Sequence, residues 1–309
     1  MNNAHTYFRP DSVGQAVRLA AERAPDFRFI AGGTDAMVNR FQGTDAGSCL
    51  IDLTGIAEMK QIRLSADRLQ IGALVTLDEL ERASAVRTEA PLLVEAARAV
   101  ATPVIRRTAT LAGNLLCENR CIFYNQSEWW REAVGYCLKC NGDICIATGG
   151  KGGCFSKFVS DLAVALISLG ASVRLADKNG EHAVALEDLY TGDGVQPRRL
   201  DPTAVLHTVE VPRGRGFRSA FRKLRRRKSL EFSSLTSAVT TDRHGGIRIA
   251  LGGVDPRPIL VTGTAGDDPR ELIAKTVKKA RIIDNDTYPR LYRKEMIGVF
   301  LRQSFDELG

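Results

Sequence analysis

Six of the seven cysteines in this 309-residue chain fall within one short segment, as Cys117, Cys121, Cys137, Cys140, Cys145 and Cys154, while Cys49 stands alone. The segment is also glycine-rich after Tyr136, and it has neither the period of an amphipathic helix nor the alternation of a strand. It reads as an irregular insertion. Clustered thiols in a chain without an export signal more often ligate metal than pair as disulfides. The opening MNNAHTYFRPDSV lacks a basic segment followed by an apolar one, and the longest apolar-leaning run, residues 162–173, is too short to span a bilayer. The expectation is a soluble protein of the cytoplasm with no membrane span. On spacing alone two kinds of centre compete. Zinc would use Cys137, Cys140, Cys145 and Cys154, the first two forming a C-x-x-C pair; an iron–sulfur cluster also takes four thiolates. His5, His182, His207 and His244 are scattered and none has ligand spacing.

The sequence on either side is regular. Residues 12–23 read as a helix capped by Asp11 or Ser12, residues 27–30 as a short buried strand ending in glycine, and residues 49–53 as another strand. Residues 60–64 and 68–72 alternate as a hairpin would. Thr76 and Glu79 form a capping box, and Pro91 opens a helix that runs to Val100. After the insertion come a helix at 160–168 and strands at 172–176 and 182–186. Residues 192–202 are rich in glycine, proline and charge, suggesting a boundary that closes near Gly216. Beyond it, 219–223, 235–241 and 247–254 read as an antiparallel sheet, followed by helices at 269–281 and 288–307. The expected architecture is α+β in two domains: 1–200, with 117–156 as the insertion, a linker at 201–216, and a C-terminal α+β domain at 217–309 with a small antiparallel sheet and helices.

Two glycine turns carry the binding chemistry. Ala31-Gly32-Gly33-Thr34-Asp35 follows a short apolar strand, and adjacent glycines let main-chain N–H groups face an anion without Cβ obstruction. A tight structural turn is the plainer reading of the same residues. Residues 109–115, ATLAGNL, offer a second such turn in which Asn114 can both donate and accept hydrogen bonds. Two phosphate-competent turns suit a dinucleotide. A Rossmann fingerprint is absent, because the nearest approach, residues 214–219, lacks its third glycine and precedes a basic strand.

Taken in order, AGGTD at 31–35, ATLAGN at 109–114 and SDLAVAL at 160–166 resemble the FAD-binding medium subunit of the molybdenum hydroxylases, the xanthine dehydrogenase and carbon monoxide dehydrogenase family. KLRRRKSLEF at 223–232 and ALGGVDPRP at 250–258 look like that family's C-terminal domain, so the resemblance covers nearly the whole chain. It implies an FAD-binding domain of p-cresol methylhydroxylase type, with two α/β subdomains. Ile30, Ala31, Gly32, Gly33, Thr34 and Asp35, with Thr110, Ala112, Gly113, Asn114 and Leu115, would cradle the pyrophosphate and ribose of FAD. Asp161 would lie near the adenine-to-flavin path, and Lys223 where the family places a basic residue near the isoalloxazine. Ala112 stands where glycine is usual, and Glu231 where aspartate is usual.

The run RCIFYNQSEWWR at 120–131, followed by GYCLK at 135–139, is similar to the medium subunit of the 4-hydroxybenzoyl-CoA reductases, which carries a 4Fe-4S cluster there. That resemblance implies Cys121, Cys137, Cys145 and Cys154 as ligands and leaves Cys117 and Cys140 as extra thiols. It implies an electron relay with no catalytic residue for the substrate chemistry in this chain. The substrate site would lie on a large molybdopterin subunit, beside a small 2Fe-2S subunit, in a dimer of heterotrimers supplied by an electron donor such as a ferredoxin. The implied reaction is reductive dehydroxylation of 4-hydroxybenzoyl-CoA to benzoyl-CoA. The alternative within the family is oxidation of another aromatic or N-heterocyclic substrate.

Lys and Arg exceed Asp and Glu by seven, and the excess concentrates at residues 222–228, RKLRRRK, and in the C-terminal third. A solvated face or a subunit-docking patch accounts for this. No aromatic residue interleaves with the run, which argues against nucleic-acid binding. A zinc-stabilised nucleic-acid-binding protein is nonetheless the reading from a different class.

Overall fold

The computed structural model describes residues 6–45 and 47–309; His5 lies outside them. Its first unit runs β1 (Thr6–Phe8), α1 (Val13–Arg23), β2 (Phe27–Ile30), α2 (Ala36–Phe41) and β3 (Cys49–Asp52). β3 lies between β1 and β2 and is parallel to both, so each crossover needs a helix. α1 meets that need because Val13, Ala16, Val17 and Ala20 recur at helical spacing and are all buried.

The second unit begins with β4 (Ile62–Leu64) and β5 (Arg68–Gly72), antiparallel with Ile62 opposite Ile71. Five short helices follow: α3 (Leu77–Arg82), α4 (Ser84–Glu89), α5 (Pro91–Ala99), α6 (Pro103–Arg106) and α7 (Leu111–Leu115). The expected capping box opens α3: the Thr76 hydroxyl accepts from the Glu79 N–H at 3.2 Å, and the Glu79 carboxylate accepts from the Thr76 N–H at 2.8 Å. Such a cap stabilises by about 1 kcal/mol. α8 (Glu128–Val134) lies inside the cysteine-rich segment, and α9 (Asp161–Ser168), β6 (Ser172–Asp177), β7 (Gly180–Ala185) and β8 (Val205–Pro212) complete the unit. The five strands form an antiparallel sheet ordered β4-β5-β8-β6-β7.

The third unit is an antiparallel sheet of β9 (Arg218–Leu224), β10 (Leu235–Thr241), β11 (Gly246–Gly252) and β12 (Ile259–Thr264), followed by α10 (Pro269–Lys279) and α11 (Arg290–Leu308). α10 and α11 cover one face, making a separate core that includes Leu235, Ile249 and Leu301. α9 packs on the other face, against β10 and β11, and also touches α5 and α7. All eight of its residues are buried. A helix so placed must be apolar all round, which is why residues 162–167 read LAVALI instead of showing one wet face. This shared helix joins the larger core to the C-terminal sheet through Ala238 and Ala250.

The expected α+β architecture stands, with two α/β units and a small C-terminal α+β unit. The linker at 201–216 is corrected. Val205–Pro212 is an interior strand of the five-stranded sheet, paired with β5 on one side and β6 on the other. Val205, Val209 and Val211 are buried, an alternation outweighed at the sequence level by the flanking prolines and charges. The reading of the insertion as wholly irregular is corrected as well. Ser127 caps α8, its hydroxyl accepting from the Trp130 N–H at 3.3 Å. β1, β12, α2, α4, α6 and α7 were not expected; all are short, and the helices among them are stabilised by packing more than by length.

Candidate functional site

The two glycine turns touch. A Cβ on Gly32 would lie 1.8 Å from the Thr108 carbonyl oxygen and 3.1 Å from the Ala109 nitrogen, so only glycine permits the approach. Gly33 has φ of +69°, in the left-handed region that side chains rarely adopt. In the second turn the Thr110 hydroxyl accepts from the Gly113 N–H at 3.2 Å and caps α7. Asn114 Oδ1 accepts from the Ser160 hydroxyl at 2.8 Å and the Leu162 N–H at 3.3 Å, fixing α7 to the start of α9.

Beside these turns lies a cleft of about 260 Å³, just under the range of sites that enclose organic ligands. Thr34, Asp35, Gly113, Asn114, Asp161 and Lys223 line it, and Val38, Val100, Ile105, Leu230 and Phe232 give it apolar wall. The other expected residues, Ile30, Ala31, Gly32, Gly33, Thr110, Ala112 and Leu115, are not among its lining. Leu115 is buried in the core, and its carbonyl accepts from the buried Tyr190 hydroxyl at 3.2 Å. The glycines shape the turns from behind.

Lys223 reaches the cleft from β9 and donates to Asp161 at 2.6 Å and to the Ala99 carbonyl at 2.9 Å. The other Asp161 oxygen accepts from Thr236 Oγ1 at 2.6 Å. Both members of the ion pair are buried, and the pair joins α9 to the C-terminal sheet. On the opposite side, Asp35 accepts from the Glu118 N–H at 3.1 Å and pairs with Arg120. The Arg120 guanidinium also lies 4.4 Å from the centre of the Phe232 ring, a cation–π contact. Sequence reasoning missed Arg120, Leu230 and Phe232 because no local pattern marks a residue that meets its partners only through the fold. Cys117, one of the two extra thiols, is buried and lines the cleft, and burial pushes its thiol up to about 12. It stays protonated at neutral pH.

A second, much smaller cavity of about 10 Å³ is lined by Cys121, Cys137, Cys145 and Cys154 together with Lys139. These are the four thiols that the resemblance implies. Cys140 is not among the lining, although its thiol is hydrogen-bonded to that of Cys137. Among the described residues no three His, Cys, Asp or Glu side chains converge closely enough to hold one metal ion. His182, His207 and His244 line neither space.

Short turns aim these thiols. The Cys137 carbonyl accepts from the N–H groups of Cys140 at 2.7 Å and Gly142 at 2.9 Å, and that of Cys145 from Gly149 at 2.7 Å. A hydrogen bond from the Cys140 thiol, aided against burial by the N–H groups of Lys139 and Cys140, holds the Cys137 thiol down at about 6. Burial pushes Cys121 up to about 11, so a bound cation would have to draw off its proton.

The two spaces adjoin. Arg120 lines the cleft and Cys121, the next residue, lines the cavity. Glu118 reinforces the junction: its N–H bonds Asp35, while its carboxylate accepts from Lys139 at 2.8 Å and Arg198 at 2.6 Å. Burial alone would raise the Glu118 carboxyl, but these two cations outweigh it and hold the group down at about 2.

Residues 2–214 match the family model of the FAD binding domain in molybdopterin dehydrogenase. The chain is 32% identical over 270 residues to the FAD-binding subunit of an aldehyde oxidoreductase from Escherichia coli (strain K12), covering 82% of this chain and 83% of that one. It is 26% identical over 318 residues to the carbon monoxide dehydrogenase medium chain of Afipia carboxidovorans, covering 97% and 95%. A crystal structure of the Cu,Mo-CO dehydrogenase has the same fold, with a TM-score of 0.77 at 24% identity over 97% of this chain and 96% of that one. No helix among the described residues is long and apolar enough to cross a membrane. The chain thus belongs to the molybdopterin-dehydrogenase family as an FAD-binding oxidoreductase subunit.

Proposed function

We propose that this chain holds FAD in the larger cleft and a 4Fe-4S cluster in the thiol cavity, and relays electrons between them within a molybdenum hydroxylase complex. Thr34, Asp35, Gly113 and Asn114 bind the pyrophosphate and ribose side, while the glycines behind them set the turns. Asp161 and Lys223 form the wall toward the flavin, and the apolar residues opposite keep water from it. Cys121, Cys137, Cys145 and Cys154 ligate the cluster through sulfur. A bound flavin exchanges electrons singly or in pairs, and so can join one-electron iron–sulfur centres to a two-electron substrate site. The observation that carries this reading is the junction at Arg120 and Cys121, where consecutive residues line the two spaces.

The complex supplies the rest: a large molybdopterin subunit with the substrate site and a small 2Fe-2S subunit, assembled as a dimer of heterotrimers in the cytoplasm. Two domains are proposed, with the boundary after β8. Reductive dehydroxylation of 4-hydroxybenzoyl-CoA rests on the run at 120–139. Oxidation of an aldehyde is a second reading, favoured by 32% identity to the aldehyde oxidoreductase subunit. Purifying the native complex, measuring FAD, iron and acid-labile sulfide, and assaying aromatic acyl-CoA thioesters against aromatic aldehydes tests both levels. A colourless preparation with stoichiometric zinc would overturn the cofactor assignment.

A further inference from the structure

Residues 192–198 begin the stretch whose glycine, proline and charge read as a domain boundary. In the fold they close a loop. Tyr190 and Arg198 bridge its base, and the Thr191 N–H donates to the Pro197 carbonyl at 3.1 Å. The base is fixed to the end of α7: the Tyr190 hydroxyl bonds the Leu115 carbonyl, and Arg198 donates to the carbonyls of Leu116 at 2.9 Å and of the cleft residue Cys117 at 3.3 Å. The tip, Asp193-Gly194, reaches the thiol cavity at Cys154.

This tip takes up both main-chain groups of Cys154. The Cys154 N–H donates to Asp193 Oδ1 at 3.1 Å, and its carbonyl accepts from the Gly194 N–H at 2.8 Å. The same Asp193 oxygen accepts from the Val195 N–H at 3.0 Å, which closes the turn on itself. Gly194 is buried, and a Cβ placed on it would lie 2.7 Å from the Cys154 sulfur and closer still to the Ser156 hydroxyl. Its φ is not in the left-handed region, so glycine is needed here for the close approach and not for the backbone conformation. The Gly194 carbonyl also accepts from Lys139 Nζ at 2.5 Å, which ties the turn to a second residue of the cavity wall. Adding one carbon at Gly194 must therefore move the Cys154 sulfur, the turn or both.

We propose that the Asp193-Gly194 turn is the positioning element for Cys154 as a cluster ligand, holding that residue by its backbone and leaving its sulfur room at the cavity. The inference rests on the four-iron reading of the cavity. Neither residue supplies a ligand; each acts through Cys154. Partners behind a metal ligand fix its orientation, and their loss weakens metal binding although every ligand is still present. A cluster held by four thiolates keeps all its irons only while each iron has its own sulfur from the protein, so displacing Cys154 leaves one iron exposed.

The test uses the purified native complex, oxidised with ferricyanide and read by electron paramagnetic resonance, with FAD content recorded in parallel. Loss of one ferrous ion from the cluster leaves a three-iron core, which gives one electron to ferricyanide and becomes paramagnetic. Oxidised two-iron clusters, four-iron clusters and flavin are silent, so the signal is specific. Gly194→Ala and Asp193→Ala should each convert at least about half of the clusters to the three-iron form. FAD content should not change, because the base of the loop is intact. Asp193→Asn should keep the four-iron cluster, since its one amide oxygen can accept from both Cys154 and Val195. Retention of the four-iron cluster in both alanine variants would overturn the proposal, as would an Asp193→Asn variant no better than Asp193→Ala, or loss of FAD in step with iron from Asp193→Ala. A native complex that shows no four-iron signal after reduction with dithionite would instead sink the cluster reading itself.

Discussion

Lys223 donates a 2.6 Å hydrogen bond to Asp161 across the interface between the C-terminal sheet and α9, with both side chains almost wholly buried. The two lie 62 residues apart, in motifs that have no local relationship. Their pairing sets one wall of the cleft. Lys223→Met leaves the Asp161 carboxylate with only Thr236, an uncompensated buried charge expected to cost about 3–5 kcal/mol. The double variant Lys223→Met, Asp161→Asn should recover most of that loss. Urea unfolding of the four forms in a double-mutant cycle checks this; equal losses for single and double variants would contradict it.

Gly32→Ala drives a methyl into the Thr108 carbonyl and must part the two turns. FAD affinity should fall at least about tenfold, a change of about 1.4 kcal/mol. Gly33→Val should also weaken binding, because a branched side chain is forced to a φ of +69°. Flavin content after gel filtration reads both. Full occupancy in both variants would mean the turns are structural only.

The thiols separate into two groups. Cys121→Ser and Cys137→Ser should each cost most of the cluster iron while leaving most FAD bound, because the thiols line a separate cavity. Cys140→Ser should retain iron, since Cys140 is not among that cavity's lining. Iron and sulfide analysis with electron paramagnetic resonance distinguishes these outcomes. Iron lost only from the Cys140 variant would reverse the assignment.

Glu118 supplies a pH-dependent contribution. Its folded carboxyl is held at about 2 against an ordinary 4.5, so the stabilisation is complete above 4.5 and is lost as pH falls toward 2. Linkage puts its size on the order of 3 kcal/mol. Glu118→Gln should destabilise the protein at neutral pH and flatten the fall in unfolding free energy between those limits. An unchanged slope in urea melts across that window would show that Lys139 and Arg198 do not hold the charge.

Periodicity and turn chemistry in the sequence determined most of the elements: the buried stripe of α1, the capping box at Thr76, the hairpins, and the apolar helix whose every face is covered. Local signals also marked the two glycine turns and the cysteine cluster, because strain-free turns and clustered thiols require particular residue types at fixed spacing. Only the tertiary structure decided what those features meet. It placed Gly32 against Thr108, brought Lys223 to Asp161, put Arg120 in the cleft, and left Cys140 off the wall of the thiol cavity. It also made an interior strand of a stretch whose prolines and charges read as a linker. Short-range sterics and hydrogen bonding are written along the chain, whereas contacts between distant residues depend on how sheets and helices stack, which no local window contains.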